Sequence, residues 1–111
     1  SKDVINVGGM KFFPQEVEKV LESHPAVKEA CVFPHHHKRL GDVPHAEVVL
    51  AQNITNPPAV IEMKDYCRQR LTGYKIPEEI RFVNTLIRTA SGKLIRSEST
   101  INKRRGATYE D

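Results

Sequence analysis

The 111-residue sequence predicts an α+β domain. The expected architecture is a small antiparallel sheet of about three strands flanked by helices, plus a separate two-stranded hairpin at the N-terminus. Three observations carry this. Stretches 27–33, 43–51 and 79–83 are rich in β-formers or alternate with period two. Stretches after Pro14 and after Asn56-Pro57 place apolar residues at helical spacing. The resulting order, β-β-α-β-β-α-β-α, fits a small sheet with helices packed against it.

The chain opens on Ser1-Lys2-Asp3 without an initiator methionine and runs straight into Val4-Ile5-Asn6-Val7. It is therefore expected to be a section of a longer polypeptide. Gly8-Gly9 permits a tight reversal, and Met10-Lys11-Phe12-Phe13 returns as a second strand. Pro14 suits the first turn of a helix, where its missing N–H costs nothing. Glu16 and Glu18 lie near the positive end of that helix dipole. Val17, Val20 and Leu21 form its apolar face, and Pro25 should stop it by His24.

Val27 to Phe33 follows as a strand, and Pro34 to Asp42 as a polar loop containing His35-His36-His37-Lys38-Arg39 and Gly41. Beyond it, Ala46, Val48 and Leu50 share one face while His45, Glu47 and Val49 share the other. That pattern is a half-buried strand, expected to pair antiparallel with the strand before the loop. Asn56 is placed to cap a second helix with Pro57 in its first turn. Val60, Met63, Cys67 and Leu71 mark its buried stripe, and Gly73 should end it. A third strand sets Ile80 and Phe82 against Arg81 and Val83. A loop around Ser91-Gly92 and a short helix within 94–103 complete the fold. Length allows one domain: hairpin 1–13, core 14–105 and a tail, 106–111, expected to be mobile.

Composition narrows the function. The chain is 39% hydrophobic and 28% charged, which fits a soluble globular domain rather than a disordered one. No apolar run is long enough to span a bilayer, and the start is not a signal peptide. A net charge of +3 suits an anionic ligand. Four Phe, three Tyr and no Trp leave little for base stacking, which argues against nucleic acid. Cys31 and Cys67 fall in a strand and a helix and read as buried free thiols of a cytoplasmic protein. His35-His36-His37 reads as a solvated loop rather than a metal site. Adjacent histidines in extended chain point to alternate faces, and no Cys, Asp or Glu set stands at ligand spacing.

The chemistry concentrates in Thr89-Ala90-Ser91-Gly92-Lys93-Leu94-Ile95-Arg96. Ser91 and Gly92 are turn formers, so Lys93 is expected at the tip of a loop. Gly92, lacking a side chain, lets the backbone lie against another surface. A lysine displayed in this way is a mobile point charge suited to phosphate or carboxylate.

Together with residues 4–18, Val-Ile-Asn-Val-Gly-Gly-Met-Lys-Phe-Phe-Pro-Gln-Glu-Val-Glu, this stretch resembles the last and first motifs of one family's C-terminal domain. That family is the adenylate-forming superfamily: acyl- and aryl-CoA synthetases, luciferases and the adenylation domains of peptide synthetases. The resemblance covers about Lys2 to Arg96. It implies the lid domain of an AMP-forming acyl- or aryl-CoA ligase. Such a parent activates a carboxylate with ATP and Mg2+ to acyl-AMP, then passes the acyl group to coenzyme A or a carrier-protein pantetheine. ATP, Mg2+ and coenzyme A would be bound mainly by the parent's own N-terminal adenylation domain, so the isolated chain should be inactive.

By the same resemblance Lys93 is the catalytic residue. Its ammonium would lie beside the substrate carboxylate and the α-phosphate, where two anions must approach each other. Gly8 and Gly9 would replace the lysine loop after a domain rotation and line the pantetheine tunnel. Lys2 would be the hinge. Lys11 stands where relatives often carry Gln and would meet a phosphate. Asn6 stands where many relatives carry Lys, and Leu86-Ile87 replaces the usual Leu-Pro. Gly92-Lys93-Leu94-Ile95-Arg96 looks more like the CoA ligases than the peptide synthetases. A luciferase-like or peptide-synthetase domain, or a non-catalytic basic binding module, are the competing readings.

Overall fold

The computed structural model describes residues 3–106. The sheet is assembled around β4, and its strands are β1 (Ile5–Val7), β2 (Met10–Phe12), β3 (Val27–His37), β4 (Gly41–Leu50) and β5 (Glu79–Phe82). The helices are α1 (Pro14–Glu22), α2 (Val60–Arg68) and α3 (Glu98–Arg104), with a 3-10 turn at Gly73–Lys75. None is long and apolar enough to cross a membrane.

The α+β class stands, with two changes of detail. β3 pairs antiparallel with β4 along its length, from Val27↔Leu50 to His37↔Gly41. β5, expected to extend an antiparallel sheet, instead pairs parallel with β4, from His45↔Glu79 to Val48↔Phe82. A parallel pairing needs a crossover, and α2 lies in that connection. The N-terminal hairpin is not separate either: β1 joins β4 at Val7↔Gly41.

Pro44 explains why β4 hosts two strands on one edge. Its carbonyl accepts the Glu78 N–H at 2.8 Å, on the β5 side. In a strand the N and O of one residue point the same way, so the Pro34↔Pro44 pair is of the non-hydrogen-bonded kind. Neither ring therefore costs a β3–β4 bond, and on the far edge Pro44 interrupts the ladder between β1 and β5.

Both faces of the central strands are covered, because period-two alternation sends neighbours to opposite sides. On one face Ala30, Val32, Ala46 and Val48 pack with Val17 and Leu21 of α1 and Met63 and Cys67 of α2. On the other, Cys31, Phe33 and Val49 pack with Leu86 and with Ile101 of α3. Side chains as deeply buried as Leu21, Met63 and Ile101 each contribute about 1.5–3 kcal/mol. The strand expected to be half-buried is thus buried on both sides, with Glu47 only 1% exposed.

Helix ends follow local chemistry. α1 begins at Pro14, and Ser23 caps it just before His24-Pro25. α2 begins at Val60 rather than after Asn56. Pro58 disfavours helical geometry at Pro57, and the Glu62 carboxylate reaches back to the Ala59 N–H at 2.9 Å. It ends at Arg68, while Gly73 opens the 3-10 turn instead. The histidine run is not in a loop: β3 extends through His37, and only residues 38–40 turn the chain. His37 Nδ1 accepts the N–H groups of Arg39 and Leu40, each at 3.1 Å, and caps that turn.

Candidate functional site

Lys93 sits on a small hairpin built by local hydrogen bonds. The Gly92 N–H bonds the Thr89 carbonyl at 2.9 Å, which closes a turn. Gly92 takes φ +93°, a left-handed value that favours glycine after such a turn. Lys93 therefore lies one residue past the turn, not at its tip. Its carbonyl accepts the Thr89 N–H at 2.8 Å, and its own N–H donates to Thr89 Oγ1 at 3.1 Å. The stem is closed by an Arg88↔Leu94 bridge and by the Ile95 N–H on the Ile87 carbonyl at 3.0 Å. These bonds hold 94 and 95 extended, so α3 starts at Glu98, with Ser97 as cap.

Two arginines fasten this hairpin. Arg88 Nη1 donates to the Gly92 carbonyl at 2.8 Å and Nη2 to Glu29 Oε1 of β3 at 2.6 Å. Arg96 donates from Nε and Nη2 to both oxygens of Glu18 at 2.8 and 2.7 Å, and from Nη1 to Asp3 at 2.9 Å. Glu18 is 5% exposed and also accepts the Val32 N–H at 2.8 Å. Its hydrogen bonds push the Arg96 pKa up, so the guanidinium stays charged. With its backbone fixed in this way, the Lys93 side chain is exposed and its ammonium has no hydrogen bond or ion pair among the described residues.

Gly8 and Gly9 form the two-residue turn between Val7 and Met10. Their φ values, +58° and +93°, match the turn whose twist suits a tight hairpin. The Gly8 N–H donates to the Leu40 carbonyl at 2.7 Å and the Gly9 N–H to Asn6 Oδ1 at 2.8 Å. Both donors are thus spent inside the domain, and a ligand at this turn meets a bare wall rather than hydrogen-bond donors. A Cβ at Gly9 would meet nothing within 4 Å, whereas one at Gly8 would lie 3.3 Å from Leu40 Cδ2. Asn6, in place of a lysine, is a brace for this turn. Lys11, its partner across the hairpin, is exposed. Lys2 lies outside the described residues.

The structure keeps the two predicted sites apart. The glycine turn is bonded to the turn after His37, and the lysine hairpin to Glu29, near the other end of β3. Eight residues of strand separate those anchors, about 26 Å at the usual rise. Sequence reading missed Arg88, Glu18 and Asn6 as supports. Arg96 lay in the quoted motif, but its carboxylate partner is 78 residues away.

Comparison with known proteins identifies the family. Residues 16–93 match the family described as "AMP-binding enzyme C-terminal domain". The chain is 46% identical over 96 residues to a 2-succinylbenzoate–CoA ligase of Bacillus subtilis, covering 86% of this chain and 19% of that protein. It is 38% identical over 94 residues to a 2-methylpropanoate–CoA ligase of Humulus lupulus, covering 85% and 17%. Among solved structures, the Bacillus subtilis o-succinylbenzoate CoA synthetase in complex with its acyl-adenylate intermediate superposes with a TM-score of 0.78 at 45% identity. That match covers 87% of this chain and 19% of the other. The chain spans about a fifth of the length of these relatives.

Proposed function

The chain belongs to the AMP-binding enzyme C-terminal domain family, and on that premise we propose that it is the lid of an AMP-forming acid–CoA ligase. In the first half-reaction a carboxylate oxygen attacks the α-phosphorus of ATP, the bond to the β-phosphate breaks and pyrophosphate leaves. In the second, a thiol sulfur attacks the acyl carbon, the bond to AMP breaks and the thiol proton is lost. ATP, its Mg2+, the acid and the thiol are held mainly by an N-terminal domain. This chain contributes Lys93 to the first step and the Gly8-Gly9 wall to the second. The acceptor is coenzyme A, after which the matching relatives are named. Those relatives are named for two different acids yet match over the same span. The acid is therefore chosen outside this domain.

The observation that carries this reading is an exposed ammonium, unpaired among the described residues, on a backbone pinned at four points. Attack by one anion on another is slowed by repulsion, and a positioned cation removes that barrier without reorganising. Because the glycine turn lies at the other end of β3, a rotation of the domain exchanges one element for the other at a single pocket.

The test is a chimera in which this chain replaces the matching segment of the Bacillus subtilis 2-succinylbenzoate–CoA ligase. The chimera should make the thioester. Lys93→Ala should lower acid-dependent pyrophosphate exchange by about 10²–10³-fold, while thioester formation from supplied acyl-adenylate stays within a few-fold. Equal loss of both half-reactions would refute the alternating assignment. Salt-steep binding of nucleic acid by the isolated chain would instead favour a basic binding module.

A further inference from the structure

The histidine run has no part in the chemistry above, yet the fold gives it partners that its sequence spacing hides. Phe33 and His45 are opposite one another in the β3–β4 ladder, so His35, two residues on, reaches the same face. α3 brings Glu98 onto that face. His35 Nδ1 lies 2.9 and 2.8 Å from the two Glu98 oxygens, and His45 Nδ1 lies 3.9 Å from Oε2. The two imidazoles stack with centroids 4.0 Å apart and planes 6° from parallel. One donor atom from each of the three residues lies within 4.8 Å of the others. Beside them is a cavity of about 200 Å³ whose lining includes His45, Glu98, Glu79 and Asn102.

We propose that His35, His45 and Glu98 bind a first-row divalent transition-metal ion of the zinc type, with the cavity side left open to water. Two imidazole nitrogens and one carboxylate oxygen are an established zinc donor set with a vacant position. Imidazole selects zinc, cobalt, nickel or copper over magnesium and calcium. Tetrahedral ligation sets donors about 3.4 Å apart, and the separations of 2.8 and 3.9 Å bracket that value. Entry of the ion requires the stacked rings to splay, and His35, 42% exposed at its side chain, has room to turn.

Burial, with the neighbouring His35, holds the His45 pKa below the ordinary value, while Glu98, Glu79 and Glu78 oppose that shift. The bound ion would tie α3 to β3 and β4, fixing the helix that follows the lysine hairpin. His36 and His37 are not part of the site: His36 is exposed, and His37 caps the turn.

The test is titration of the tag-free 111-residue chain with Zn2+ by calorimetry and with Co2+ by visible absorption. One equivalent should bind, with Co2+ d–d bands of a four- or five-coordinate ion, and Zn2+ should raise Tm. His35→Ala and Glu98→Gln each alter a partly exposed residue. Both variants should keep native circular dichroism and weaken binding by more than about 10-fold, the loss that even outer-shell changes cause. His36→Ala should change nothing. Absence of binding to the folded chain overturns the proposal. So does binding that survives His35→Ala and Glu98→Gln but is lost in His36→Ala, because the ion would then sit on the solvated run alone.

Discussion

Removing Arg96 should cost this domain much of its stability, although the residue lies only three positions from Lys93. The guanidinium makes two contacts with Glu18, whose side chain is 7% exposed, and one with Asp3, whose side chain is 43% exposed. The Asp3 contact is solvent-screened and worth about 0–1 kcal/mol. The Glu18 contacts differ in kind. In Arg96→Ala a buried carboxylate keeps only the Val32 N–H at 2.8 Å, and an uncompensated buried charge costs about 3–5 kcal/mol. Domains of this size are stable by about 5–15 kcal/mol. With a urea slope of about 2 kcal/mol/M, the unfolding midpoint should fall by about 2 M, read by far-UV circular dichroism. Adding Glu18→Gln to Arg96→Ala should restore part of the loss, because the orphaned charge is gone. A loss below about 1 kcal/mol for Arg96→Ala, the value for an exposed pair, would refute this reasoning. So would a double variant less stable than Arg96→Ala by the full cost of Glu18→Gln.

Glu47 gives a pH prediction. Burial works to raise its carboxyl pKa, but hydrogen bonds from Arg105 and Arg81 prevail and hold it below the ordinary value. A lowered folded pKa means that the unfolded chain binds the proton more readily. The contribution is thus complete well above the usual carboxylate pKa, about 4.3, and is lost as pH falls through that value and below. Glu47→Gln should flatten the acid limb of a stability–pH curve measured by urea unfolding, and an unchanged limb would contradict the assignment. Gly9→Ala should cost about 1–2 kcal/mol, by strain alone, because φ is +93° and the space is open. Gly9→Asn should cost less in the same urea assay. Burial pushes the thiols of Cys31 and Cys67 up to about 12 and about 11. Neither should react with Ellman's reagent at pH 8 in the folded chain, and both should react at once in denaturant.

Where a few neighbouring residues decided the outcome, the sequence alone was enough. Pro14 and Pro25 bracket α1 because each restricts only its own backbone and that of its neighbour. Gly8-Gly9 makes the hairpin turn because positive φ is a local demand. The lysine hairpin was legible as a turn for the same reason, and its motif, paired with residues 4–18, pointed to the family that residues 16–93 match. The second of two consecutive prolines, with the Glu62 cap on Ala59, moved the start of α2 three residues on, from Pro57 to Val60. What only the tertiary structure decided are pairings between distant residues. Glu18 read as a helix-dipole residue because its partner Arg96 is 78 positions away. Glu47 read as solvent-facing because Arg105, which lets it be buried, is 58 positions away. His35, His45 and Glu98 share no spacing that a motif could record, and β5 lies parallel to β4 only because α2 carries the chain back. Local conformational preference acts within a few residues. Burial of charge and strand order depend on which distant segments the folded sheet brings side by side.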